Sequence, residues 1–396
     1  MRRAVVAVAV TVVAVTAFAS RRAAASPWSI TAEAGVEYDT NVERVEDGTT
    51  NDQNQPIDPV AAGVVRLGGR VVRRQRLLGG SLVADASALA REVVISGSNP
   101  PGTYADATAA SVATLGADAR WLRPIGDRPI SVGVALTATD VLPLCTDGCI
   151  GDLTFSNLGA DALVVLHDQD DRHFTLAVGY RDFEYKPAPE FSWSGPTANA
   201  RLDAVLSHNA DHTRTIELAV TAGGDARDYN DVALVLTQCM AGEPAGSVCT
   251  ASTTFTRRDK FAHVGADLTF VGRQIFSIGY QLGYDDSNSY GQSLIRNRVT
   301  ASATAELPWH LFGTLLGTLQ IDDYPDGLVV LNAANDQVRN LEDESRSSLQ
   351  LRLARHLNDE WSVELRAAIW RNVGNSDGDE YHRTLISLGV VYAADK

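Results

Sequence analysis

The chain has 396 residues, with 34 basic and 49 acidic side chains, a net charge of −15 and four cysteines. That balance argues against a nucleic-acid partner, because binding to a phosphate backbone is carried by surplus Lys and Arg. Beyond Ala19 no apolar run approaches the ~18 residues of a membrane helix, which excludes a helical membrane protein.

Arg2 and Arg3 precede the apolar run Ala4 to Ala19, and Ala23-Ala24-Ala25 follows. A positive start, a short apolar stretch and an Ala-x-Ala site predict a secretory signal peptide over 1–25. The remainder, 26–396, then carries 30 basic against 49 acidic residues, a net of −19. No linker-like or low-complexity stretch divides it, so it reads as one exported domain.

In chain order, sixteen segments alternate apolar and polar residues with the period of two that marks strands. The first, 29–41, sets Ile30, Ala32, Ala34, Val36 and Tyr38 against Thr31, Glu33, Glu37 and Asp39. The next three are 60–73, 78–94 and 104–122, with Arg66, Arg70, Asp85 and Asp118 on their polar faces. Five more follow at 129–140, 155–167, 173–184, 197–207 and 213–225. The tenth and eleventh form a hairpin over 260–286. Ala262, Val264, Ala266, Leu268 and Phe270 lie on one face of its first arm, and Phe276, Ile278, Tyr280, Leu282 and Tyr284 on one face of its second. The last five are 295–307, 311–322, 345–355, 361–371 and 381–392. A single such hairpin fits a soluble sandwich as well as a membrane barrel; sixteen such segments, with essentially no charge along the apolar faces, fit lipid.

The connections sort by length. After even-numbered segments they are tight, as at 73–76, 125–127, 272–273 and 357–359; after odd-numbered segments they are mostly long and polar, as at 44–59, 141–154, 226–258 and 323–344. Short turns on one rim and long loops on the other are the topology of outer-membrane barrels. The expected fold is therefore all-β, a 16-stranded antiparallel transmembrane barrel with both termini in the periplasm. Trp28, Trp121, Trp309, Trp361, Phe174, Phe312 and Tyr392 fall at the short-turn ends. Tyr38, Tyr185, Trp193, Tyr284, Tyr324 and Trp370 fall at the long-loop ends, so two headgroup-level girdles are expected.

A sixteen-stranded barrel is wide enough for an aqueous lumen. On the polar faces Arg66, Arg70, Arg298, Arg346, Arg352 and Arg366 come mostly from one side of the closed sheet, and Asp85, Asp106, Asp118, Asp161, Glu217 and Asp267 mostly from the other. These twelve are the candidate pore-lining residues. They form either a selective pair of facing walls or pairs that neutralise one another between neighbouring strands. Loops 226–258 and 323–344 are long enough to fold inward.

Cys145, Cys149, Cys239 and Cys249 all fall in long loops, and pairing within each loop, 145 with 149 and 239 with 249, is the simplest of the three connectivities open to an exported chain. No metal or other cofactor is expected. His208 and His212 have a helical ligand spacing but sit at a tight turn between strands, and the acidic tracts near Asp377 and Asp47 read as solvated loops. No constellation points to an embedded hydrolase or protease.

The chain thus resembles Gram-negative, porin-like outer-membrane barrels. The stretch Gly35-Val36-Glu37-Tyr38-Asp39-Thr40-Asn41-Val42 resembles the opening strand of barrels associated with exopolysaccharide export and surface-protein assembly. That resemblance implies a non-catalytic channel in the cell outer membrane for polar solutes or a polysaccharide chain. In those families the barrel often follows a helical-repeat periplasmic domain; here any such partner is expected to be a separate chain. The alternatives are a general diffusion porin and a barrel that presents its surface loops for adhesion or surface-protein assembly.

Overall fold

The computed structural model describes residues 28–42, 44, 59–96, 107–144, 153–168, 171–211, 213–238, 249–325, 347–371 and 382–395. They form sixteen strands. The first eight are β1 (Trp28–Asp39), β2 (Ala62–Leu77), β3 (Gly80–Ser96), β4 (Val112–Pro124), β5 (Ile130–Pro143), β6 (Phe155–Asp168), β7 (Arg172–Tyr185) and β8 (Trp193–His208). The second eight are β9 (Thr215–Thr237), β10 (Cys249–Val271), β11 (Gln274–Ser287), β12 (Leu294–Leu307), β13 (Leu311–Asp323), β14 (Ser347–His356), β15 (Trp361–Arg371) and β16 (His382–Asp395). Each strand pairs antiparallel with its neighbours in sequence, and β1 pairs with β16, so the sheet is a closed barrel. Closure leaves no free edge to template aggregation.

The β10–β11 hairpin shows why these residues form this sheet. Ala262 stands opposite Tyr284, Val264 opposite Leu282, Leu268 opposite Ile278 and Phe270 opposite Phe276. The apolar faces of the two arms therefore coincide, as a strict period of two requires. On that face Val264 is 50% and Ile278 55% exposed, whereas Gly265, Gly279 and Gly283 on the other are buried. The same exposed apolar face continues around the barrel through Val36, Leu136, Val178, Leu319, Leu351 and Leu388. A soluble protein does not leave an encircling apolar belt to water; hydrocarbon covers it. Among the described residues no helix is long and apolar enough to cross a membrane, and the strands do so instead.

Several expectations shift in detail. The first tight turn lies at Leu78-Gly79 rather than 73–76, because β2 and β3 stay paired through Leu77 and Gly80. Both turn residues have positive φ, 51° and 75°, the requirement of a two-residue hairpin loop that follows the sheet's twist; Gly79 meets it without strain and Leu78 does not. The fourth strand begins at Val112, after a short 3-10 turn over Ala107–Ala110. The long connection 226–258 is mostly strand, since β9 runs to Thr237 and β10 starts at Cys249. The β-branched residues of this hairpin (Val232, Val235, Thr250, Thr253, Thr254, Thr256) favour that outcome. Irregular pairing at Ser252, Thr256 and Arg258 marks where the hairpin leaves the barrel wall. There the amides of Tyr290 and Leu234 tie it to the β11–β12 connection, bonding the Leu234 carbonyl at 2.9 Å and Ser289 Oγ at 3.0 Å.

The girdles also need revision. Tyr38 and Tyr284 face outward at the long-loop rim, 53% and 49% exposed. Tyr185, Trp193 and Trp370, expected beside them, lie on the inner face instead: each is an odd number of residues from an outward neighbour on its own strand, Tyr180, Ala198 and Ile369 respectively. The start of β1 and the end of β16 share the short-turn rim.

Candidate functional site

The inner face is the candidate site, and its charges are held by pairing between strands. At the seam where β1 meets β16, Glu33 accepts from Arg66 and from Arg366, each at 3.0 Å. Glu37 takes a second contact from Arg66 at 3.4 Å and one from Arg91. Glu364 holds both Arg352, 3.0 Å at Nε, and Arg366, 2.8 Å. Arg70 donates to Asp85 at 2.7 Å. At the outer end of the seam the fully buried Asp39 receives a two-pronged contact from Arg383, 3.0 and 2.6 Å, and a third from Arg91 at 3.2 Å. The Arg383 guanidinium lies 4.8 Å over the Trp370 ring. Between these rows the wall forms a small, shallow recess lined by Glu33, Arg66, Glu364, Arg366 and Ser387.

Glycines on the same face make the room. Arg181 crosses Gly159 to reach Asp161 with two bonds, 3.1 and 2.8 Å, and Asp267 lies over Gly279. A Cβ at either glycine would strike those side chains. Arg181 and Asp267 therefore lie flat against the wall, whereas Arg70 and Arg352, 61% and 52% exposed, reach into the lumen.

On the far wall, β9 to β12, ion pairs sit at the long-loop end, Arg258 with Asp228 at 2.8 Å and Arg296 with Asp322 at 3.0 Å, with Arg227 on Asp225 and Arg257 on Asp259 within single strands. The middle of the wall is arranged differently. Asp267 and Arg298 make no ion pair among the described residues, and Glu217 only accepts a hydrogen bond from Thr215 at 3.0 Å. Arg298 sits opposite Gln281 on one side and Gln320 on the other, and its Nε is buried without a hydrogen-bond partner. Asp118 stands directly across from Asp85 and is likewise without an ion pair among the described residues.

The outer end of the inner face is apolar and aromatic. Val42, Val60, Val64, Val93, Ala107 and Ala110 pack together there, as do Val112, Val141 and Leu153 against Phe155. From Phe155 the contacts run on through Phe183 at 5.5 Å to Trp193 at 6.0 Å. Arg227 then lies over both Trp193 and Phe261, at 4.7 and 5.2 Å, and Phe261 stacks on His263 at 5.7 Å. This arc spans β6 to β10. It stiffens the mouth, because each ring or guanidinium fixes the next.

Of the twelve residues singled out, Arg66, Arg70, Arg352, Arg366, Asp85 and Asp161 are in ion pairs, and Arg298, Asp118, Glu217 and Asp267 make none among the described residues. Arg346 and Asp106 lie outside the described residues. At the seam the charges take the second of the two expected arrangements, pairs that neutralise one another, each arginine having a carboxylate on its own strand or within two strands of it. Arg91, Arg181, Arg383 and Glu364 were missing from the candidate set. Their alternation with Asp85, Gly179, Leu385 and Arg366 on the same faces was the signal that could have found them.

Among the cysteines only Cys249 is described, and it is not a free thiol; Cys145, Cys149 and Cys239 lie outside the described residues. Among those described, no group of His, Cys, Asp and Glu could hold a metal ion. His208 ends β8, while His212 is not described. Gly374-Asn375-Ser376-Asp377-Gly378 has the Gly-x-Ser-x-Gly order of a nucleophile elbow. It lies outside the described residues, in the connection from β15 to β16; a nucleophile elbow needs a strand followed by a helix, and this connection joins two paired strands.

No family model matches the chain, and no curated protein does. Among solved structures it is similar to a bacterial polysaccharide outer membrane secretin, at 9% identity and a TM-score of 0.42, covering 93% of this chain and 99% of that one. It is similar at the same coverage to a triple mutant of the Rhodopseudomonas blastica porin (10% identity, TM-score 0.37) and to Acinetobacter baumannii OccAB3 (8%, 0.44). Likenesses this faint add nothing to what the geometry establishes. On its closed sheet and its encircling apolar belt, the chain is a sixteen-stranded transmembrane β-barrel of the outer-membrane type.

Proposed function

We propose that the barrel is a channel for polar solutes, and that an extended hydrophilic chain such as a polysaccharide is the cargo it suits best. The observation that carries this reading is the wetted, charged inner face inside a barrel of sixteen strands, a size that leaves an aqueous lumen. Charges that are already paired bind a passing hydroxylated chain weakly at many points, as conduction requires. The short-turn rim, with both ends of the chain, then faces the periplasm, where a separate partner protein could deliver cargo.

The test is conductance of the purified chain in planar bilayers. Steady ohmic current is expected, with block by neutral oligosaccharides longer than a few sugars. A silent protein defeats the channel reading, and current without block leaves only a general diffusion porin.

A second reading rests on the β9–β10 hairpin. Its arms of 23 residues each far exceed the ~10 residues that suffice to cross an outer membrane. Phe255 is 72% and Leu236 59% exposed. Cys249 pairs in register with Thr237, two residues from Cys239, so a disulfide between Cys239 and Cys249 would clasp the hairpin, and one between Cys145 and Cys149 a smaller loop. If the hairpin is an adhesive or assembly surface, deleting 232–252 abolishes cell-surface attachment and leaves conductance intact.

A further inference from the structure

On β2 the inward positions read Arg66, Gly68, Arg70, Val72, Arg74 and Arg76 from the middle of the strand to the short-turn rim. Four residues of strand rise about 13 Å, so arginines recur along this wall from mid-height to the mouth. Their surroundings change on the way. Arg66 is held by Glu33 and Glu37, and Arg70 keeps the single partner Asp85. Arg74 and Arg76 are exposed and make no ion pair among the described residues.

The neighbouring wall adds a third guanidinium. Arg74 stands opposite Val83 on β3, and Val83 stands opposite Arg120 on β4. Arg74 and Arg120 therefore lie level on the inner face with one strand between them. Two strand spacings are about 10 Å, a gap that two arginine side chains can close from either side. Arg120 is exposed and likewise makes no ion pair among the described residues. Asp118, two residues further in on the same face, is not bonded to it, and Asp85 is engaged by Arg70. In a chain of net charge −15, this inner corner carries a positive surplus.

That surplus is unusual for the lumen. Apart from these three and Arg298, every inward arginine on the described strands is in an ion pair. A guanidinium without its own carboxylate is available to a solute, and its fork matches the oxygens of carboxylates and phosphates. A neutral sugar chain offers no such match. Arg120 stands four residues inside the end of β4, where a molecule threading the lumen reaches it and a protein docked on the rim does not. The lipid-facing Arg73 of the same strand is turned away, over the Trp28 ring.

We propose that Arg74, Arg76 and Arg120 form a capture site for carboxylate or phosphate groups at the short-turn mouth, and that the hydrophilic chain the barrel suits is a polyanion. The choice of cargo rests on the channel reading; the site itself does not.

Isothermal titration calorimetry of the folded full chain in detergent at low salt, comparing hexagalacturonate with maltohexaose, tests it. Wild type should bind hexagalacturonate about tenfold more tightly, as one or two charged hydrogen bonds allow. R74Q/R120Q should lose that preference and keep its affinity for maltohexaose, whereas R73Q, altered on the lipid side, should behave like wild type. The single variant R120Q, with roughly two- to fivefold loss expected, covers the case in which the double variant fails to give the heat-modifiable folded band. Equal affinity for the two sugars in wild type, or binding of neither, overturns the proposal. So does hexagalacturonate affinity that R120Q leaves unchanged. Displacement by millimolar inorganic phosphate makes this a site for small anions and overturns the polyanion. Arginine-dependent binding by a protein that carries no current in bilayers keeps the site and defeats the channel reading; a conducting barrel without the preference does the reverse.

Discussion

The seam wall and the far wall of the lumen are built from the same residue types and differ in what those residues do. Around β1, β2, β3, β15 and β16, arginines meet carboxylates on the next strand or the next but one, and Asp39 is fully buried under Arg383 and Arg91. Around β9 to β12, Asp267 and Arg298 face each other's strands across β11 without an ion pair among the described residues. A buried, paired charge is costly to disturb and has little left to offer a solute. An unpaired one on a wet wall contributes little to stability and a good deal to the local field. The comparison therefore assigns stability to the seam, and to the paired long-loop end of the far wall around Asp259 and Asp322, and selectivity to the middle of the far wall.

Mutations can break that assignment, and their expected effects on stability fall in order. Arg383→Ala strands Asp39 in a buried site and should cost about 3–5 kcal/mol, read as an earlier urea midpoint for loss of the heat-modifiable band. Glu364→Ala leaves Arg352 and Arg366 without their shared acceptor, but both can turn toward water (52% and 33% exposed). About 1–3 kcal/mol is expected. Arg70→Ala removes a contact from a side chain that is 61% exposed, and should cost about 0.2–1 kcal/mol. In 1 M salt, where the Debye length falls to ~3 Å, this small effect should vanish while that of Arg383→Ala persists.

Arg298→Ala should change stability by less than about 0.5 kcal/mol, yet it should shift the reversal potential in a salt gradient toward cations. If Arg298→Ala unfolds the barrel, or if Arg70→Ala and Arg298→Ala move the reversal potential equally, the division between the walls is wrong.

How much of this was legible in the sequence follows from the range of each interaction. Side-chain alternation is local, so the faces of the β10–β11 hairpin, the strand count and the sorting of connections could be read directly. Charge partners are not local. Glu364 and Arg383 become meaningful only when β15 and β16 return to β1, more than three hundred residues after Asp39. Turn position was obscured at Arg73-Arg74-Gln75-Arg76, where a run of cations looks like a loop, although Arg73 is held in strand by Trp28. Trp193 and Trp370 were misread because proximity to a rim does not say which way a ring points; the arginines stacked on them supply the reason for their inward placement.

The contact between Asp39 and Arg383 has a consequence for how the cylinder is completed. Sliding the last strand past the first by one residue would turn greasy groups inward, and the bilayer itself forbids it. A slide by two keeps every face correct and would go unnoticed by hydrocarbon. Only a group that must find one named counterpart can tell the two alignments apart. By parking a carboxylate where one guanidinium of the final strand can reach it, the opening strand records where that strand has to stop.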